Sequence, residues 1–154
     1  MLDIRLMMMA DHAGVAALFM EMQQYYRVWC PPRETILTDL AKLPPGTEIF
    51  VVDNGHLIGF AAFSAIYPGP GLASGLFLKE LFVSQAHRGG GIGRLLMKRL
   101  AALAVERGYR RIDWTADREN TGLLSFYDDL GAARKEEKLF YRLDKDALRE
   151  LAED

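Results

Sequence analysis

The chain has 154 residues, half of them hydrophobic and 26% charged, which suits one globular domain spanning 1–154 and excludes a disordered chain. Its net charge of -2 and pI near 5.9 lack the basic excess of a broad nucleic-acid surface. The single cysteine, Cys30, excludes an internal disulfide and fits a reducing, cytoplasmic setting.

Residues 2–9 read as a first strand, and the opening Met1-Leu2-Asp3-Ile4-Arg5 lacks the long apolar run of a secretory leader. Asp11 is placed to cap a helix over 12–27 that carries Val15, Leu18, Phe19 and Met22 on one face. A second helix starts near Pro32 and presents Ile36, Leu37 and Leu40. Residues 48–53 form a strand, Asn54-Gly55 marks a hairpin, and the partner strand runs from Leu57 to about Ile66. Pro68-Gly69-Pro70-Gly71 is a loop. It divides the stretch between Asp53 and Lys79, which holds no Asp, Glu, Lys or Arg, so neither half is long enough to span a membrane as a helix.

Residues 75–83 read as a strand leading into a glycine-rich turn, then a helix to Arg107 with Ile92, Leu95, Leu96, Leu100 and Leu103 at helical spacing. Gly108 stops that helix. Arg110–Thr115 is a strand, 121–130 a helix stopped by Gly131, Leu139–Leu143 a last strand, and a short polar helix ends the chain. The order β-α-α-β-β-β-α-β-α-β describes an α/β (α+β) fold, a mixed sheet with helices on both faces.

The segment Arg88-Gly89-Gly90-Gly91-Ile92-Gly93 joins strand to helix. A helix N-terminus leaves backbone N–H groups unpaired and partly positive, and glycines let a ligand approach them closely. The product is either an anion site suited to phosphate, with Arg88 and Arg94 adding charge, or a glycine-rich connector with no ligand. A Walker loop needs Lys-Ser or Lys-Thr after its last glycine, and Arg94-Leu95 stands there. A dinucleotide fingerprint begun at Gly89 would need glycine at position 94.

The segment resembles the GCN5-related N-acetyltransferase (GNAT) superfamily, whose signature Arg/Gln-x-x-Gly-x-Gly/Ala is matched by Arg88 to Gly93 between Leu81-Phe82-Val83 and a helix. A second signature is matched by Asn120, Phe126-Tyr127 and Leu130-Gly131. Leu78-Lys79-Glu80-Leu81-Phe82-Val83 is similar to the spermidine/spermine (diamine) branch. The resemblance covers nearly the whole chain and implies a mostly antiparallel, twisted sheet.

It also implies acetyl-CoA as cosubstrate and direct attack by a primary amine in a ternary complex. The backbone of Leu81 and Val83 would pair with the pantetheine arm, Phe82 between them belongs to the same cofactor-binding stretch, and the N–H groups of Gly89, Gly90, Gly91, Ile92, Gly93 and Arg94 would hold the pyrophosphate. Asn120 would bond the pantetheine, the Val83 N–H would stabilise the oxyanion, and Tyr127 would protonate the departing thiolate. The alternative for Tyr127 is packing against Leu123, Leu124 and Leu130.

Lys79 and Glu80, as strand neighbours, are expected on opposite faces. In the diamine branch both positions are acidic and the first is a proposed base; here it is Lys79, which leaves Glu80 as candidate base or structural ion-pair partner. Tyr25, Tyr26 and Trp29 are candidates for the acceptor pocket. His12, His56 and His87 show no ligand spacing, and no metal site is expected. The expected acceptor is a small-molecule amine, by an enzyme that is a homodimer with no nucleic-acid or membrane partner. The alternatives are a protein (lysine or N-terminal) acetyltransferase and a non-catalytic acyl-CoA-binding or sensing module.

Overall fold

The computed structural model describes residues 1–154, which divide into two compact units, Met1–Thr115 and Ala116–Asp154. The first unit holds strands β1 (Asp3–Leu6), β2 (Thr47–Asp53), β3 (Leu57–Ile66), β4 (Gly75–Val83) and β5 (Ile112–Asp113). It also holds helices α1 (His12–Tyr26), α2 (Arg33–Ala41) and α3 (Ile92–Glu106). The second unit holds α4 (Thr121–Asp129) and α5 (Lys145–Glu153).

The five strands lie in the order β1-β2-β3-β4-β5. All neighbours are antiparallel except β4 and β5, which run parallel through Leu76–Ile112 and Phe77–Asp113. Four consecutive residues of β2, Ile49 to Val52, are all buried, so both faces of the sheet are covered. Ile49, Val51, Phe60 and Phe82 pack with Val15, Leu18 and Met22 of α1 and with Ile36 and Leu40 of α2. On the other face Phe50 stacks on Phe63 at 5.1 Å and lies under the Arg99 guanidinium of α3. Leu96, Met97, Leu100 and Leu103 are the buried stripe of that helix.

The Asn54-Gly55 hairpin forms, with Gly55 at φ +111° and three residues between the paired Asp53 and Leu57. Gly108, at φ +78°, ends α3: its N–H donates to the Val105 carbonyl and the Tyr109 N–H to the Ala104 carbonyl.

Several elements differ from expectation. β1 stops at Leu6, and Asp11 does not cap α1. Its buried carboxylate instead accepts from Arg5 at 2.6 and 3.0 Å and from the Met8 N–H at 2.7 Å. An ion pair outcompetes a cap where a guanidinium is within reach. Leu95 is exposed and Met97 takes its place in the core, because the helix turns its stripe slightly from the expected line. β5 is two residues long rather than six. No strand forms at 139–143, where Leu139, Phe140 and Tyr141 are exposed; a strand exists only through ladder bonds to a neighbour.

Candidate functional site

The turn from β4 to α3 begins with a single helical turn at Gln85–His87 and then passes through Gly89 at φ +83° and Gly91 at φ +80°. Only glycine adopts this left-handed conformation at low cost, so these two positions shape the loop. Gly91 caps α3, and the Leu95 N–H donates to its carbonyl at 3.1 Å. The amides of Ile92, Gly93 and Arg94 precede that bond and open the helix end. A side-chain carbon at Gly89 or Gly91 would meet no atom within 4 Å, and one at Gly90 only the His87 carbonyl at 3.9 Å. The loop therefore faces open space with its amides at a helix N-terminus, a cradle open to an anion.

Arg94 is exposed on the first turn of α3, as expected for a phosphate contact. Arg88 behaves differently. Its Nε donates to the Val83 carbonyl at 2.9 Å, and its guanidinium lies 4.2 Å from the Tyr25 ring centroid and 5.2 Å from that of Phe82. A weakly hydrated planar cation stacks readily on aromatic faces, and here that contact draws Arg88 onto the end of β4.

β4 pairs with β3 along its whole length but with β5 only as far as Phe77. The Ser84 N–H donates to the Ile58 carbonyl at 2.8 Å, so strand alternation turns the backbone groups of Leu81 and Val83 away from β3, toward the open edge. Phe82 is 2% exposed and anchors this stretch in the core under α1.

The expectation that Lys79 and Glu80 point to opposite faces is overturned by a bulge. Ala62 opposes Glu80 while Phe63 opposes Leu78, so Lys79 is the extra residue. Leu78 thus shares the face of Phe63, toward α3, whereas Glu80 shares the face of Ala62 and Phe60, toward α1. Lys79 Nζ lies 3.4 Å from Glu80 Oε1, with side chains 64% and 38% exposed. Partial burial of the Tyr26 phenol raises it above the ordinary value, and the nearby Glu80 carboxylate adds to the rise. Tyr25 and Tyr26 touch edge to face at 5.1 Å at the end of α1, both partly exposed. Trp29 is exposed in the following turn, where its carbonyl accepts from Gln23 Nε2.

Glu21 was not legible as a site residue. From α1 it accepts the Ser84 hydroxyl and the Gln85 N–H, each at 2.9 Å, and so ties that helix to the start of the turn. Two of the histidines also meet: the rings of His56 and His87 lie 5.5 Å apart. No cluster of three or more His, Cys, Asp or Glu is arranged to hold a metal ion.

In the second unit Asn120 caps α4, its Oδ1 accepting from the Leu123 N–H at 3.1 Å. That bond uses the oxygen and leaves the amide nitrogen as a donor. Tyr127 is half-buried on α4, its ring 5.3 Å from that of Phe126. Leu123, Leu124 and Leu130 are likewise half-buried.

A strand with an open edge, a glycine turn and a helix N-terminus follow one another in the chain, and the acetyltransferase (GNAT) family model matches residues 15–132. The chain belongs to this family, whose members use acetyl-CoA as cosubstrate.

Among individual proteins it is 31% identical over 121 residues to L-ornithine N5-acetyltransferase NATA1 of Arabidopsis thaliana, an alignment covering 77% of this chain and 53% of that protein. The chain thus spans about half the length of this curated relative. An integron cassette protein from the mobile metagenome of V. cholerae superposes with a TM-score of 0.91 at 29% identity, over 99% of this chain and 98% of that one. A ribosomal-protein-alanine N-acetyltransferase from Brucella melitensis biovar Abortus 2308 shares the fold, with a TM-score of 0.78 at 24% identity over 92% and 99% of the two chains. No helix is long and apolar enough to cross a membrane.

Proposed function

We propose that this chain is an acetyl-CoA-dependent N-acetyltransferase acting on the primary amine of a small molecule. The observation that carries this reading is the open glycine cradle at the start of α3, in line with the unpaired edge of β4. Membership of the acetyltransferase family supports it. Bound acetyl-CoA supplies an activated acyl carbon that the unprotonated amine attacks directly.

The amides from Gly89 to Arg94 hold the pyrophosphate, and the outward backbone groups of Leu81, with the Val83 carbonyl, bind the pantetheine arm as an added strand would. The family resemblance assigns to Asn120 a hydrogen bond to the pantetheine arm. The Val83 N–H donates to the oxygen that gains charge as the amine attacks. Glu80, directly or through water, takes the proton lost by the amine, and the family resemblance assigns to Tyr127 the protonation of the departing sulfur. Proton and charge thus balance across the transfer.

The acceptor best supported is an amine on a molecule that also carries a carboxylate. Lys79 and Glu80 stand side by side and exposed, one cation and one anion on the same stretch of β4. The similarity to a protein named for L-ornithine agrees with an amino-acid acceptor.

Gly90→Glu tests the cradle without backbone strain, since Gly90 does not adopt a positive φ and has room for a side chain. CoA affinity by calorimetry is expected to fall at least about tenfold, from anion repulsion at a phosphate site. Gly90→Ala should bind as the unmodified protein does. A folded Gly90→Glu variant that binds CoA normally would place the cofactor elsewhere. Thiol release from acetyl-CoA with a panel of amines then tests the activity, and no release with any amine favours a binding module instead.

A further inference from the structure

We propose that Glu21 is a positioning residue that holds the cofactor cradle in its binding conformation; the assignment rests on the reading of the glycine loop given above. Glu21 belongs to α1, yet both its carboxylate oxygens are committed to the turn that launches the cradle. Oε1 accepts the Ser84 hydroxyl and Oε2 the Gln85 N–H, each at 2.9 Å. The turn is closed by the His87 N–H donating to the Ser84 carbonyl at 2.9 Å. Gly89 follows His87 by two residues, so the hinge of the cradle lies directly beyond the segment that Glu21 grips.

A second tether lies one helical turn along the same stripe of α1. Residues 21 and 25 stand on one face, and the Tyr25 ring is covered by the Arg88 guanidinium at 4.2 Å. Arg88 in turn donates to the Val83 carbonyl. α1 therefore holds the segment from Val83 to Arg88 at two points, before and after the single turn at Gln85–His87. The glycines that follow need such a support. Three successive glycines have wide backbone freedom, and a cradle built from them binds an anion well only if that freedom is already restricted. A carboxylate is suited to the task because its two charged oxygens accept a hydroxyl and an amide at once, with bonds stronger than neutral ones.

Two consequences distinguish positioning from general stabilisation. Loss of Glu21 should loosen the turn and the cradle locally, and it should weaken cofactor binding without slowing the chemical step. The experiment compares Glu21→Ala, Glu21→Gln and Ser84→Ala in the full chain by amide hydrogen exchange without ligand, CoA calorimetry, and steady-state kinetics at saturating amine.

Glu21→Ala is expected to speed exchange across residues 84–94 while the strands keep their protection. It should raise the CoA dissociation constant and the KM for acetyl-CoA about tenfold, with kcat within about twofold. Glu21→Gln keeps one acceptor oxygen and should recover most of the affinity. Ser84→Ala loses one bond and should fall between. The double variant Glu21→Ala, Ser84→Ala should be no weaker than Glu21→Ala alone, since both remove the same contact.

Unchanged exchange in 84–94, unchanged CoA affinity in a folded Glu21→Ala protein, or loss of protection throughout the sheet would each overturn the proposal. The unmodified protein is read separately. If it binds no CoA, the cofactor reading itself fails, whereas normal binding there with no response in the variants removes only Glu21.

Discussion

At the residue scale the proposed chemistry rests on two side chains whose neighbours define their tests. Tyr127 is half-buried on α4 beside Phe126. If its hydroxyl protonates the leaving thiolate, Tyr127→Phe should lower kcat by roughly tenfold or more, the low end for losing a general acid, with CoA affinity intact. Unchanged kcat, with chemistry shown to be rate-limiting, removes it from the mechanism. Lys79 sets the second test. Its pair with Glu80 is long and exposed, and such pairs contribute little stability, so both groups are free to exchange one another for a substrate. A cation at this point repels a polyamine and attracts a carboxylate. Spermidine should show a kcat/KM at least about tenfold below that of an amino-acid amine, and Lys79→Glu should narrow or reverse that ratio. Spermidine emerging as the best substrate of the unmodified enzyme would restore a polyamine role.

Elements are held by contacts that local sequence shows unevenly. The junction of β1, α1 and the β2–β3 hairpin is an ion-pair network in which Arg5 bonds Asp11 and, at 3.0 Å, Asp53. The Arg5 bonds hold the Asp11 carboxyl below the usual carboxylate value, against the opposing effect of burial. A depressed folded pKa contributes stability above the unfolded value, about 3.9, that is lost as pH falls through the folded one. Asp11→Asn should therefore cost about 2 kcal/mol near neutral pH, and the difference from the unmodified chain should shrink below about pH 4. Denaturant titrations across that range measure it; a constant difference down to pH 2 would assign the loss to packing. The network was hidden because Asp11 stands where a cap is expected and its partner lies in another element. β3 and β4, by contrast, were legible to within a residue, since Asn54-Gly55 and Pro68-Gly69-Pro70-Gly71 mark their ends. The glycine turn between β4 and α3 was legible for the same reason: glycines announce a backbone need. Glu21 was not, because its partners are 63 and 64 residues away and no local pattern links them. The strand expected at 139–143 shows the converse error, in which apolar side chains read as strand without the pairing that makes one.

For the whole molecule, the sheet is covered on both faces, so each residue of a central strand has a side assigned by its position in the pairing. The bulge at Lys79 makes β4 one residue longer than its ladder with β3 requires. Chain length and register are therefore out of step at that point of the β3–β4 ladder, and a deletion there restores the count. Removing Lys79 would leave Leu78 opposite Phe63 and Glu80 opposite Ala62, with Phe82 still facing Phe60 in the core. Removing Val51 from β2, where no slack exists, would send Ile49 and Phe50 to the wrong faces or break the ladder. The Lys79 deletion is expected to fold and melt cooperatively within a few degrees of the unmodified chain, and the Val51 deletion to yield no folded protein. A bulge bends and twists its strand, so the straightened β4 should lose acetyl transfer while keeping its sheet. Circular dichroism melts and thiol-release assays on the two deletions compare these outcomes. In such a strand a genetic indel, ordinarily the most damaging of small lesions, becomes a milder event than many substitutions, and the one extra codon marks where β4 departs from a regular ladder.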